Sequence, residues 1–210
     1  MCQMKNAEKT IRYYNRLSGK YDSAYSAYLK HTHQLLLNHL EITKGDYILD
    51  VSCGTGVLAE MIAGSGMDYG KLVLNEPSQG MLDKAKEKVD GIDGIGFTQY
   101  FAEELPFTEN IFDCLICLNS FHYYVNQEKV LKHFSRMLKP GGQLLILDWN
   151  LEGWFHIPNL IIRTLSPENI NTRSLAWQME SLPKFNFEID YSDKWNYRFW
   201  KFYLIRAKCL

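Results

Sequence analysis

The spacing of apolar positions divides this chain of 210 residues into three stretches. From about Ala7 to Leu40 the spacing is helical. Ile11, Tyr14 and Leu17 share one face, Leu35, Leu36, Leu37 and Leu40 crowd another, and Leu17-Ser-Gly-Lys20 parts two helices. From Gly45 to Asn150 short apolar runs alternate with helical patterns. Tyr47-Ile-Leu-Asp-Val51 is the first such run, the pattern of a strand buried on both faces of a parallel sheet. A glycine turn and a helical stretch from Val57 to Ala63 follow. Lys71 to Asn75 reads as a second strand, and Ser78 to Val89 as a helix with Ser78 at its N-cap. Ile95 to Phe101 is the third strand and Phe112 to Leu118 the fourth. Gln127 to Leu138 is a helix ended by Lys139-Pro-Gly-Gly142, where proline cannot continue it and glycine supplies a left-handed cap. Gln143 to Asp148 is the fifth strand.

After Asn150 the rhythm breaks. Residues 151–184 have the pattern of short helices and loops. Phe187 to Lys194 and Arg198 to Lys208 are two strand-like runs around Lys194-Trp-Asn-Tyr197 with no helix between them, so a hairpin and at least one antiparallel strand are expected. Strand–helix alternation closed by a hairpin predicts one open α/β sheet, and no internal repeat or low-complexity segment divides it.

Composition narrows the function. Lys and Arg number 23 against 24 Asp and Glu, a net charge of −1 that excludes the basic footprint of a nucleic-acid binder. No run approaches the ~18 apolar residues that a membrane-spanning helix needs. The opening MCQMKNAEKTIRYY lacks the apolar core of a secretory signal. The five cysteines (Cys2, Cys53, Cys114, Cys117 and Cys209) are odd in number and scattered, which argues against a disulfide framework and for a reducing, cytoplasmic setting. All five tryptophans (Trp149, Trp154, Trp177, Trp195 and Trp200) fall in the last third.

The chemistry concentrates in Ile48-Leu-Asp-Val-Ser-Cys-Gly-Thr-Gly-Val-Leu-Ala59, at a strand-to-helix turn where an open α/β sheet keeps its ligand. Gly54 and Gly56 let the backbone approach a ligand, and the next helix presents its positive end. Glu76 stands 20 residues past Gly56, at the end of the second strand, where its carboxylate can accept from a ribose diol. A nicotinamide dinucleotide and S-adenosyl-L-methionine both suit that much. Asp50 separates them. Near a pyrophosphate, a like charge at ~5 Å costs on the order of 3 kcal/mol at an effective dielectric of 20, whereas an ammonium and a sulfonium are attracted by a similar amount.

LDVSCGTG, NEPSQGML, AEELPF, FDCLICLNSFHY, LKPGG and LLILDW, in that order and spacing, resemble a class I S-adenosylmethionine-dependent methyltransferase. The similarity is to the type 11 small-molecule group, which includes the ubiquinone and menaquinone biosynthesis enzymes, and it covers about Tyr14 to Asp148. The resemblance implies a Rossmann-like, seven-stranded, mostly parallel sheet with helices on both faces and an antiparallel C-terminal strand. It divides a single domain, 1–210, into an N-terminal helical lid (1–44), a cofactor-binding core (45–150) and an acceptor-side insertion with a C-terminal hairpin (151–210). It further implies that Asp50 and the backbone at Ser52 and Gly54 hold the methionine end and that Glu76 takes the ribose. Pro77 and Met81 would flank the adenine, and Ala102 and Glu103 would meet its edge. Asn119 would face the cofactor near the methyl group. Tyr14-Asn-Arg-Leu-Ser-Gly-Lys-Tyr21-Asp22 resembles the family's lid, so Tyr14 and Tyr21 would close over the cofactor. Two positions depart from the pattern: Ser52 where glycine is frequent, and Phe101 where the family often has an aspartate to read the adenine amino group.

Methyl transfer is an in-line displacement, so positioning is the main work and a base is needed only for a protonated nucleophile. His122, just past the fourth strand, is the best-placed titratable group; it takes that proton, or else caps the next helix or lines the cleft. Asp148 either binds a cationic group of the acceptor or caps its loop. Tyr123 and Tyr124 read as packing rather than catalysis, and His156 either faces a substrate or is a lone surface histidine. Cys114 and Cys117, three apart on a strand, point to opposite faces and cannot share a metal. His31 and His33 likewise point their rings apart, so no metal site is expected, and Cys53 reads as a small filler of the loop. The tryptophans of the last third either wall an apolar or aromatic small-molecule acceptor, with Trp149, Trp154 and Trp177 foremost, or pack in the interior or a subunit interface. The resulting expectation is a monomeric or homodimeric enzyme that methylates a small acceptor. The readings from other classes are a non-catalytic S-adenosylmethionine-binding or regulatory protein and a nicotinamide-dependent oxidoreductase.

Overall fold

The computed structural model describes residues 2–210, with side chains from Glu8 onward; the free-thiol expectation for Cys2 lies outside the described side chains. Helices α1 (Cys2–Leu17), α2 (Tyr21–Ala24) and α3 (Ser26–Leu37) come first, parted by a turn at Ser18–Lys20. The alternating unit follows: β1 (Tyr47–Asp50), α4 (Val57–Gly64), β2 (Lys71–Asn75), α5 (Gln79–Lys88), β3 (Ile95–Thr98), β4 (Phe112–Leu118), α6 (Gln127–Met137) and β5 (Leu138–Trp149). The chain ends with α7 (His156–Leu165), α8 (Leu175–Ser181), β6 (Phe187–Tyr197) and β7 (Trp200–Cys209). The seven strands form one sheet in the order β3-β2-β1-β4-β5-β7-β6. β1 to β5 pair in parallel, and β7 runs antiparallel between β5 and β6. This is the Rossmann-like arrangement expected.

The central strands are apolar on both sides because helices cover both faces. Leu49, Leu115 and Cys117 enter one buried cluster with α6; Ile48, Cys114 and Ile116 enter the other with α3 and α4. Cys114 and Cys117 therefore lie on opposite faces, as period-two alternation requires. The last-third aromatics join these layers: Trp195 stacks on Phe202, and Trp149 on Trp200. α7 packs inward through Asn159 and Ile162 and leaves Ile157, Leu160, Ile161 and Leu165 exposed. Among the described residues, no helix is long and apolar enough to cross a membrane.

Three of the boundaries that differ from the sequence expectation have a local reason. β3 stops at Thr98 because the buried Asn75 side chain takes over the pairing: its Oδ1 accepts from Tyr100 N at 3.0 Å and from Thr98 Oγ1 at 3.1 Å. α6 is not ended by a left-handed glycine. Leu138 turns extended at ψ 143° and opens β5, while the left-handed Gly141, at φ +78°, falls in the irregular stretch between the Leu138 and Gln143 pairings with β4. The hairpin turns at Arg198 and Phe199, beyond the expected 194–197, because Tyr197 still pairs with Trp200 and Arg198 adopts φ +56°.

Candidate cofactor and acceptor cleft

β1 lies between β2, which continues to the sheet edge, and β4, which leads the other way, so the loops at their carboxyl ends part and leave a crevice. The loop after β1 supplies one wall. Its Cys53 N–H donates to Asn75 O at 2.9 Å, and Gly54 and Gly56 are left-handed, at φ +55° and +79°. A Cβ on Gly56 would come within 3.0 Å of Ala85 Cα and Cβ, so glycine there lets α4 begin against α5. The cleft holds about 1010 Å³ of empty space, counting its open mouth.

Two buried carboxylates lie under this loop. Asp50 is only 2% exposed and its Oδ1 has no hydrogen-bond partner. Burial raises its pKa to about 7, opposed by a hydrogen bond from the Ser52 backbone and reinforced by the Glu76 charge. Glu76 Oε2 accepts from Gly54 N at 3.1 Å and its Oε1 from Ser78 N at 2.8 Å. Burial raises Glu76 to about 7 as well. Each Glu76 oxygen retains lone-pair capacity for a further donor. An ionised carboxylate buried without a cation is costly, so a ligand bearing a positive charge suits Asp50 and one bearing hydroxyls suits Glu76.

The expected cofactor residues Ser52, Gly54, Glu76, Pro77, Met81, Ala102, Glu103 and Asn119 all line the cleft, as do Tyr14 and Tyr21. Asp50, the remaining expected cofactor residue, is buried and is not among the residues that line the cleft. Phe101 lines the cleft too. Glu103 is largely committed: Oε1 accepts from Val125 N at 2.8 Å and Asn126 N at 3.2 Å, fixing the loop ahead of α6. Asn119 adopts φ +54°, donates through Nδ2 to Thr32 Oγ1 at 2.9 Å, and keeps a buried Oδ1 without a partner. Ser52 Oγ lies 3.0 Å from Tyr124 Oη, joining the β1 loop to the β4 loop.

The N-terminal helices are latched over this crevice. Asn15 Oδ1 accepts from Ser78 Oγ at 2.9 Å and Gly80 N at 2.8 Å. Asp22 accepts from Thr55 Oγ1 at 2.5 Å and pairs with Lys88 Nζ at 2.7 Å. Tyr14 then meets Tyr123 with 2.5 Å between the phenol oxygens, and both bond Glu168. The cleft also takes residues that no sequence motif singles out: Ile11 and Leu29 from the lid helices, and His33, which burial holds at a pKa of about 4. Their signal was available only as the inward face of amphipathic helices. Cys53 lines the cleft, and burial pushes its thiol well above its ordinary pKa.

Other candidates are placed elsewhere. His122 is 1% exposed and lies behind Tyr123, off the cleft wall. Its ring stacks on Trp149 at 4.0 Å and its Nδ1 lies 2.5 Å from Asp148 Oδ1, while Nε2 is buried without a partner. Asp148 spends its oxygens on His122 N–H and Trp149 N–H, at 2.8 and 2.6 Å, and so faces no acceptor. The tryptophans do not wall the cleft: Trp149 is interior, Trp154 is 44% exposed at the surface, and Trp177 lies against Phe121 and Arg173. Tyrosines make the wall in their place. His156 is exposed beside a shallow groove with Glu152 and Lys194. His31 stacks on Tyr197, away from His33, and among the described residues no cluster could hold a metal ion.

The family model described as a methyltransferase domain matches residues 48–142, from β1 into the start of β5. The ubiquinone/menaquinone biosynthesis C-methyltransferase UbiE of Francisella tularensis subsp. novicida is 37% identical to this chain over 112 residues, 52% of this chain and 45% of that protein. The chain thus spans less than half the length of the curated relatives it matches. Among solved structures, the Haloferax volcanii protein in complex with the Trm112 methyltransferase activator superimposes at a TM-score of 0.82 and 16% identity, over 93% of this chain and 97% of that one. Geranyl diphosphate C-methyltransferase from Streptomyces coelicolor, solved with Mg2+, geranyl diphosphate and S-adenosyl-L-homocysteine, gives 0.76 at 14% identity, over 98% of both chains.

Proposed function

We propose that this chain binds S-adenosyl-L-methionine in the cleft and transfers its methyl group to a small, largely apolar acceptor. The observation that carries the reading is the unpartnered buried Oδ1 of Asp50 beneath a glycine loop whose Gly54 N–H is held by Glu76. The cofactor would supply an electrophilic methyl on a sulfonium. Asp50 would meet the positive charge of its methionine end, with Ser52 and Gly54 as backbone donors. Glu76 would accept from the ribose hydroxyls, Pro77 and Met81 would flank the adenine, and Phe101 would stack there in place of a hydrogen-bonding aspartate. Ala102 N–H would serve the adenine edge. Asn119 and the tyrosines would border the methyl, and the latched lid would keep water from it.

Tight positioning of this kind can supply ~7–11 kcal/mol of the barrier. A relative named for ubiquinone and menaquinone biosynthesis and a neighbour solved with geranyl diphosphate both support an apolar acceptor for this chain. Incubation with methyl-labelled cofactor and a panel of hydroxylated aromatics and isoprenoids tests the reading. Labelled product together with S-adenosyl-L-homocysteine is the expected result. Cofactor binding with no turnover across the panel would favour a regulatory binding protein, and preference for NADH would favour an oxidoreductase.

A further inference from the structure

Glu168 stands in the segment after α7 and reaches back to the lid. Its Oε1 accepts from Tyr123 Oη at 2.8 Å and also from Tyr14 Oη. The other oxygen accepts from Ser166 Oγ at 2.8 Å. The segment is pinned on both sides. Asn169 N donates to Thr10 Oγ1 at 3.1 Å, Asn171 N donates to His122 O at 2.6 Å, and the buried Gln127 donates through Nε2 to Asn171 O at 2.7 Å. Glu168 is thereby fixed opposite two phenols that line the cleft.

The hydrogen-bond capacity of this cluster is decisive. Each phenol has a single proton. Three close contacts (Tyr14 to Tyr123, and each to Glu168) compete for the two protons, so both are consumed inside the cluster however they are shared. Burial raises the pKa of both tyrosines well above 10.0, which keeps those protons in place. What remains for the cleft is lone pairs on oxygen, with a carboxylate behind them.

We propose that Tyr14 and Tyr123, positioned by Glu168, select an acceptor that donates a hydrogen bond, a hydroxyl at or beside the methyl-receiving atom, and reject its capped or anionic counterpart. The proposal rests on the methyltransferase reading and assigns that cleft its acceptor chemistry. Tyr14 and Tyr123 are the contact groups, and Glu168 is the positioning residue. An ether, with no donor, leaves the phenol oxygens unpaired, and a carboxylate is repelled by Glu168. The hydroxyl recovers a hydrogen bond in a site from which the lid excludes water.

The test is calorimetric binding of a naphthol and its methyl ether to protein loaded with S-adenosyl-L-homocysteine. The proteins are the wild type, Glu168→Gln and Tyr123→Phe, each checked for an unaltered melting temperature. The wild type should bind the naphthol at least about tenfold more tightly than the ether. In Glu168→Gln the amide donates to one phenol and frees a phenol proton for the cleft, so the preference should vanish or reverse. In Tyr123→Phe, which keeps the carboxylate and removes one oxygen, it should shrink several-fold. S-Adenosyl-L-homocysteine is held at saturation for each protein, so that a change in the lid latch does not enter the comparison of naphthol with ether. Equal affinity of the wild type for the two probes, or binding of neither, overturns the proposal. So does a preference that survives in both variants. Weakened cofactor-product binding with the preference intact overturns it too, by assigning the cluster to the cofactor. Failure of the wild type to bind S-adenosyl-L-homocysteine at all is a separate result that removes the methyltransferase reading and the proposal with it.

Discussion

Replacing Asp50 by asparagine should stabilise the ligand-free protein while weakening its hold on the cofactor. Asp50 is buried with an unpartnered Oδ1, and its pKa rises from 3.8 to about 7. The folded protein therefore binds this proton more tightly than the unfolded chain does. Stability falls as pH rises from 3.8 toward 7 and is constant above. At 1.36 kcal/mol per pH unit, this carboxyl costs the fold about 4 kcal/mol at pH 8, where it is buried ionised, and about 2 kcal/mol at pH 5, where folding must protonate it. Asparagine matches the shape, keeps an oxygen for the Ser52 N–H and removes the charge. The variant should then be more stable by up to about 4 kcal/mol at pH 8, or roughly 10 °C in melting temperature for a chain of this size, and the gain should halve at pH 5. His33, held near pKa 4 by burial, acts in the opposite sense below pH 6.5, but it is common to both proteins and leaves the difference untouched. Denaturant unfolding at the two pH values measures the gain, and calorimetry with S-adenosyl-L-methionine at pH 8 measures the loss, expected to be at least about tenfold. A variant no more stable at pH 8, or a gain independent of pH, would refute the account of Asp50 as a strained anion awaiting a cation.

Three further outcomes follow from the site. Glu76→Ala should weaken S-adenosyl-L-homocysteine binding at least about tenfold by calorimetry, since ribose contacts and the anchor of Gly54 N–H are lost together. Gly56→Ala should lower unfolding free energy by about 1–3 kcal/mol in urea, because its Cβ would meet Ala85 at 3.0 Å from a left-handed backbone. Asp22→Asn removes the ion pair to Lys88 that helps tie the lid to α5; stopped-flow dissociation of the cofactor product should accelerate several-fold, with stability changed by less than about 1 kcal/mol because the pair is partly exposed.

The glycine-loop wall of the cleft was legible because its residues are local. Asp50, Ser52, Gly54 and Gly56 fall within one strand-to-helix turn, and Glu76 and Met81 within the next. Once β1 and β2 are adjacent, the two turns must meet. Boundaries failed where a side chain from another segment intervened, as Asn75 does at the end of β3. The opposite wall of the cleft was much less legible. The tryptophan skew drew attention to the last third, yet Trp149, Trp195 and Trp200 complete the interior, because large rings gain most by filling the space between the hairpin and α3. The histidine beside the fourth strand was visible, but Asp148 draws it back from the cleft.

By itself, the amino-acid sequence determined the open α/β sheet, the seat of the glycine loop and the carboxylates beneath it, since periodicity and turn chemistry act over a few residues. Only the tertiary structure decided which distant side chains meet at the cleft. Glu168 lies 154 residues from Tyr14 and 45 from Tyr123, and nothing in the spacing of the three predicts their meeting. They converge because Gln127 and Thr10 pin the segment after α7 across the cleft, and long-range packing of that kind leaves no period to read.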